Sequence, residues 1–476
     1  MGRYKRMLEA NLATPPDGMP QPARNRAMLV IIVGLAMAVL DGSIVNLALP
    51  GIANELNASA AHSVWVVNAY QMATLVLLLP LASLGDRIGY RRVYLVGMAL
   101  FGAASILAMA ANTLPALIGA RTLQGLGAAG IMSVNAAMVR VIYPRAHLGR
   151  GLAINALVVA FASVAGPTVA AAILSVASWH WLFALNVPLC AVTLYMGRKY
   201  LPHNAVMSTA PRPAILDVVL NVLMFTLIFF GGERLSMHGG AQSTPHAAIT
   251  GGAMLVAGLL VGWWYLHRQW RLATPLFPID LLRIPVFALS MVSSVTAFAA
   301  QTLAYLCLPF LLLEAYGRTP LQAGLLITAW PVAIAVVAPI SGRLIDRYPD
   351  GLLGGIGMVA FACGLFLMAA LPGSPTDVAI AWRLALCGAG FALFQSPNNH
   401  TIVTSAPLAR SGAASGMLGT ARLTGQTAGA VVLSALFAIW PPSDGLGEKI
   451  ALVAAGVLAL GAAVASTKRV RASHNH

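Results

Sequence analysis

Charge is what this 476-residue chain has least of: 9% of its residues are Asp, Glu, Lys or Arg, against about 25% in a soluble domain. So little charge cannot cover a water-facing surface. With 59% apolar residues the composition is also the reverse of disorder, which needs low hydrophobicity. Cysteine is scarce too. Cys190, Cys307, Cys363 and Cys387 lie inside apolar runs without CxxC spacing, which argues against a metal or redox motif and for inert buried thiols. There is no HExxH, no Walker GxxxxGK[ST], no nucleophile elbow and no acid pair within an apolar run. Enzyme chemistry and ATP hydrolysis therefore lack their parts, and no cofactor or metal is expected.

What the chain does have is long apolar runs, near 27–49, 63–84, 93–112, 115–139, 151–176, 179–200, 214–233, 246–267, 286–313, 320–341, 352–371, 378–404, 412–439 and 449–466. Each can span a bilayer as a helix. Barrel strands would alternate polar and apolar residues, so an all-α membrane protein of fourteen spans is predicted. A polar, basic stretch over 1–26 leads into the first run without a cleavable signal pattern. With both termini in the cytoplasm, 23 of the 29 Lys and Arg fall in cytoplasmic segments, three in outer loops (Arg234, Arg318, Lys449) and three within spans. That bias satisfies the positive-inside rule, and an odd span count would spoil it. The net charge of +15 thus reads as topology in a bilayer, not as a nucleic-acid surface.

Two landmarks repeat. Leu84-Gly85-Asp86-Arg87 follows the second run and Leu344-Ile345-Asp346-Arg347 the tenth, 260 residues on; Arg121 lies early in the fourth run and Arg383 early in the twelfth, 262 on. A shared offset predicts duplicated six-helix halves, the parallel repeats of some transporters. The expected division is a tail over 1–26, a bundle over 27–200, a linker with an inserted transmembrane hairpin over 201–285, a second bundle over 286–466 and a tail over 467–476.

The motifs resemble those of the major facilitator superfamily, specifically its fourteen-helix drug:proton antiporter branch, over nearly the whole chain. Leu84-Gly85-Asp86-Arg87-Ile88-Gly89-Tyr90-Arg91-Arg92 looks like the superfamily's loop signature. Leu40-Asp41-Gly42-Ser43-Ile44-Val45-Asn46-Leu47-Ala48-Leu49-Pro50 is similar to the branch's first-helix signature. Arg121-Thr122-Leu123-Gln124-Gly125-Leu126-Gly127 matches RxxQGxG, and Gly166-Pro167 the core of the fifth-helix antiporter signature. Ala82, Tyr90, Ala162, Ala170 and Ala171 depart from the usual residues; the alanines are small-for-small changes that keep close helix packing.

Asp41 is the one acid expected deep in a span, where a carboxylate costs about 3 kcal/mol and defaults to function. Taking up a proton removes that charge, so Asp41 reads as a proton acceptor. At about 1.5 Å per residue, Asp41 lies roughly 12 Å below Leu49 and Arg121 roughly 9 Å below Pro115, so the two share a depth, with Gln124 one turn on. The repeat offset carries Asp41 onto Gln301 and Thr302, which do not ionise, so proton handling is expected in the first half alone. The resemblance implies that Asp86, Arg87, Arg91, Asp346 and Arg347 gate the switch between states, and that Gly166 and Pro167 form a hinge or a leak-tight contact; the pair also removes a backbone donor mid-helix. Asn46, Tyr70, Gln71, Gln301, Tyr305, Trp330, Arg383, Arg422 and Gln426 are candidates for a substrate cavity. Trp179 and Trp181 read as part of an aromatic belt.

The resemblance implies a proton-coupled antiporter exporting amphipathic drug-like compounds across a bacterial inner membrane, with the proton as coupling ion. The alternative is an importer or exporter of a sugar, organic acid or peptide-like solute on the same fold. The expected partners are a small-molecule substrate and the lipid bilayer; a periplasmic accessory protein is compatible with this route.

Overall fold

A computed structural model describes residues 18–144, 147–202, 214–236, 245–272, 275–345, 347–406, 411–441 and 445–473. Among them run fourteen long helices, one for each predicted span. The first seven are α1 (Ala23–Glu55), α2 (Trp65–Ile88), α3 (Tyr90–Met109), α4 (Leu114–Ile142), α5 (Leu148–Leu174), α6 (His180–Tyr200) and α7 (Ile215–Ser236). The rest are α8 (Pro245–Gln269), α9 (Pro285–Ala315), α10 (Pro320–Leu344), α11 (Asp350–Ala369), α12 (Asp377–Ser405), α13 (Ser411–Ile439) and α14 (Leu446–Ser473). Thirteen contain described stretches long and apolar enough to cross a membrane, and α5, at 27 residues, has the length of a span. This is an all-helical, multi-pass membrane protein.

Local chemistry sets the starts of several helices. Thr113, Thr319 and Thr376 accept hydrogen bonds from the first-turn amides of α4, α10 and α12, and Thr319 with Gln322 closes a capping box ahead of Pro320. Gly89, at φ +101°, makes the tight link between α2 and α3, a conformation an L side chain rarely adopts.

Helices α1 to α6 pack on one another, as do α9 to α14. The pairs repeat: α3 on α4 and α2 on α4 correspond to α11 on α12 and α10 on α12. The repeat reaches individual atoms. A β-carbon at Gly127 would come within 2.6 Å of the Phe101 nitrogen and 2.7 Å of the Gly97 carbonyl oxygen; at Gly390 it would come within 2.5 Å of the Phe361 nitrogen and 2.6 Å of the Gly357 oxygen. Likewise Gly125 faces Ala73 and Gly388 faces Ala333. Each pair lets two backbones touch, as small residues do in membranes.

Helices α7 and α8 form a hairpin. Its first helix lies against α2 and α13 at once: Leu220, Met224 and Phe225 share a core with Met72, Leu75 and Leu423. Asn221 donates to the Val76 carbonyl at 2.9 Å, and Asp217 pairs with Arg268 at 2.7 Å.

The two bundles meet unequally. Away from the termini they share one core, in which Leu47, Ala48 and Ala171 pack with Leu303, Leu308 and Ile327. At the end carrying the termini the cores are separate: Met28, Tyr94, Met138 and Tyr143 in one, Leu281, Phe287, Ile402 and Met417 in the other.

Four expectations need correction. Cys363 is exposed on the outer face of α11, while the other three thiols are buried. Trp179 is buried, donating from Nε1 to Glu55 Oε2 at 2.8 Å, because α1 continues past Pro50 and brings Glu55 to it; Trp181 remains exposed. Arg469 lies inside the second bundle, not in a tail: α14 runs on to Ser473, and the guanidinium donates to Asn398 Oδ1 at 2.7 Å and Ser290 Oγ at 3.0 Å. Glu448 opens α14 fully buried, so Asp41 is not the only acid withdrawn from solvent.

Candidate functional site: a sealed ion pair beside a central cavity

Asp41 sits just past the middle of α1, four residues before the helix tightens into a 3₁₀ turn over Val45–Ala48. Such an interruption marks hinges more often than regular helix does. The carboxylate is fully buried and satisfied from two other helices. Arg121 Nη1 of α4 donates to Oδ2 at 2.5 Å; Gln124 Nε2 and Asn186 Nδ2 of α6 donate to Oδ1 at 2.9 and 2.6 Å. The spacing of three between Arg121 and Gln124 puts both on one face of α4.

Arg121 is also fully buried. It donates from Nε to the Val66 carbonyl at 3.0 Å and from Nη1 to Gln124 Oε1 at 2.7 Å, while Gln124 reaches Ser105 Oγ at 3.0 Å. The Tyr70 ring covers the guanidinium with its centroid 4.3 Å away, and Tyr70 donates its hydroxyl to the Ala38 carbonyl at 3.0 Å. Removing one member of such a pair strands the other charge in a dry interior, at about 3–5 kcal/mol.

On the far side of Tyr70 lies a cavity of about 410 Å³ between the bundles, within the range of about 300–1,000 Å³ that takes drug-sized ligands. Eight of the nine candidate cavity residues line it: Asn46, Tyr70, Gln71, Gln301, Tyr305, Trp330, Arg422 and Gln426. Asn46 Oδ1, Gln71 Oε1 and Trp330 Nε1 have no hydrogen-bond partner among the described residues. An unpaired buried polar atom costs about 1–3 kcal/mol, so the wall is built to be completed by ligand or water.

Arg383 is the exception and a correction. Its Nη1 bonds back to the Ala379 carbonyl at 2.7 Å, and its guanidinium lies 4.4 Å from the Trp382 ring. The repeat makes it the counterpart of Arg121, but Gln301 and Thr302 stand where Asp41 does in the first half, so no carboxylate holds it inward.

Gly166 and Pro167 lie where the bundles meet. Gly166 faces Ser43 of α1, Pro167 offers its carbonyl to the surface of Gly324 on α10, and Thr168 and Thr328 are hydrogen-bonded across the junction at 2.9 Å. Beside them the space between Asn46, Pro167, Tyr305 and Pro309 pinches to about 10 Å³, room for about one water. The cavity is therefore closed on this side.

The gating candidates are only partly within view. The Asp86 side chain and the whole of Asp346 lie outside the described residues. Arg87 is half-buried at the end of α2, Arg91 donates to the Arg198 carbonyl within the first bundle, and Arg347 is exposed.

Asn186 and Ser105 are the members of the polar cluster that sequence reasoning missed. A single Asn in a span could have signalled one of them, but its bond to Asp41 depends on how α6 is rotated.

A family model described as Major Facilitator Superfamily matches residues 31–430 and 289–471. The uncharacterized transporter YebQ of Escherichia coli (strain K12) is 48% identical, covering 95% of this chain and 97% of its own. The multidrug efflux pump LfrA of Mycolicibacterium smegmatis is 30% identical over 90% and 84% of the two chains. A crystal structure of a bacterial homolog of the human lysosomal transporter Spinster shares the fold, with a TM-score of 0.67, 13% identity and coverage of 95% of this chain and 98% of its own. Paired bundles around a central cavity, the duplicated glycine contacts and these likenesses lead to one conclusion: the chain belongs to the Major Facilitator Superfamily and is a membrane transporter, not an enzyme.

Proposed function

We propose that this transporter belongs to the fourteen-helix drug:proton antiporter branch and exports amphipathic drug-like compounds across a bacterial inner membrane. Both termini are cytoplasmic, so the conformation described here, closed between Gly166 and Gly324, faces inward. The observation that carries the reading is the Asp41–Arg121 pair, sealed within the first bundle and separated from the cavity by one aromatic ring.

The two faces of α1 supply the coupling. Asp41 points into the bundle, while Gly42, Ser43 and Asn46 line the cavity. A proton on Asp41 removes the charge that holds Arg121, leaving α1 tied to α4 by neutral hydrogen bonds through Gln124. Helix α1 can then move about its 3₁₀ turn and reshape the wall that touches substrate, so proton and substrate favour different conformations. Proton return through about 100 mV supplies roughly 2.3 kcal/mol, enough for a concentration ratio of tens-fold at about 1.4 kcal/mol per tenfold. The multidrug efflux function of LfrA supports export.

The test is uptake and resistance in expressing cells with and without a protonophore. Lower accumulation of amphipathic compounds, abolished by the protonophore, is expected. Inward flux of a small metabolite would replace this reading with the uptake alternative.

A further inference from the structure

The cavity wall contains one formal charge among its described residues, and it is positive. No Asp or Glu lines the space; Asp41 is shut behind Tyr70, and its charge is matched by Arg121. Arg422 alone projects a cation into the wall. Its guanidinium has no ion pair and no hydrogen bond to any described residue, and its aromatic neighbour is the Phe298 ring at 5.8 Å. Four other buried or half-buried arginines have oxygen partners: Arg121 has Asp41, Arg268 has Asp217, Arg318 has Asp377 and Arg469 has Asn398. A cation held in an apolar interior without a counter-charge is costly, and such residues mark sites that bind or move charge.

The surroundings specify the rest of the ligand. Gln426 stands one turn from Arg422 on the same helix and adds an amide donor beside the guanidinium. Tyr305 and Trp330, edge to face at 5.3 Å, line the same space with Phe298 and Phe391 and give it an aromatic wall. We infer that the cavity is a site for amphipathic organic monoanions, an aromatic body carrying one carboxylate, with Arg422 as the anion-binding residue. The guanidinium fork suits a carboxylate's two oxygens. A ligand with a fixed positive charge meets Arg422 and finds no acid.

The inference rests on the reading of this cavity as the transport site, and its test does not depend on proton coupling. The purified full-length protein is titrated at neutral pH with 2-naphthoate, 2-naphthamide and 2-naphthyltrimethylammonium, three probes with one ring system and different charge. Naphthoate binding about tenfold or more tighter than the amide is expected, with the ammonium weakest. Arg422→Gln should bring naphthoate down to the amide's affinity while the amide stays within about twofold, and Arg422→Lys should retain part of the preference. Equal binding of the three probes, tighter binding of the ammonium, or naphthoate binding unchanged in Arg422→Gln overturns the inference. Should Arg422→Gln not fold, wild-type selectivity and Arg422→Lys decide it. Selective naphthoate binding with protonophore-insensitive flux supports the inference and removes the proton-coupling reading. Protonophore-sensitive export of the ammonium with no naphthoate preference does the reverse.

Discussion

The two bundles share a scaffold and differ in chemistry. Gly127 meets Phe101 and Gly97 as Gly390 meets Phe361 and Gly357, so the backbones of α3–α4 and α11–α12 approach alike. Arg121 and Arg383 occupy matching places, yet one is clamped by a carboxylate, a side-chain amide and a backbone carbonyl while the other folds back on its own helix. Duplication preserves what backbone contact requires. It leaves free the side chains that distinguish the halves, with a sealed ion pair in the first and an unpaired cation facing the cavity in the second.

That contrast can be broken experimentally. Arg121→Ala should destabilise the protein by about 3–5 kcal/mol by leaving Asp41 buried and unpaired, whereas Arg383→Ala should cost about 1 kcal/mol or less. Thermal unfolding in detergent measures both, and equal losses would remove the distinction between the halves. Asn186→Ala deletes one charge-assisted bond to Asp41, with an expected loss of about 1.5–3 kcal/mol; a silent substitution would mean that Asp41 is not held from α6. Gly127→Val and Gly390→Val should each cost about 1–3 kcal/mol by forcing backbones apart. The comparison is sharpened if the two values agree, and a large disparity would confine the close approach to one bundle. Tyr70→Phe, which removes only the bond to the Ala38 carbonyl, should cost about 1 kcal/mol and keep the ring over Arg121.

The spans were legible because lipid imposes one rule on every residue in a run, and each apolar run became one helix. The Asp41–Arg121 pairing was legible because helical rise converts residue counts into depth, and two lone charges at one depth in neighbouring helices of a dry bundle have strong reason to meet. Azimuth is not in the count. Asn186 and Ser105 reach the cluster, and Arg383 fails to reach the cavity, because of how their helices are rotated, which tertiary packing sets. Arg469 was misplaced for a related reason: charge near a helix end reads as solvated, but α14 carries it along the bundle to Asn398 and Ser290. Trp179 turned inward because Glu55, three turns past the 3₁₀ interruption's start, offers its indole an acceptor.

The most direct measurement of the central claim is substrate-driven proton movement in proteoliposomes of the wild type and of Asp41→Asn, which keeps the shape of the side chain while turning one acceptor oxygen into an amide donor. The account predicts a folded variant with wild-type unfolding cooperativity and proton movement lowered by about a hundredfold or more, a barrier difference of roughly 2.7 kcal/mol. Wild-type proton movement in Asp41→Asn would contradict it.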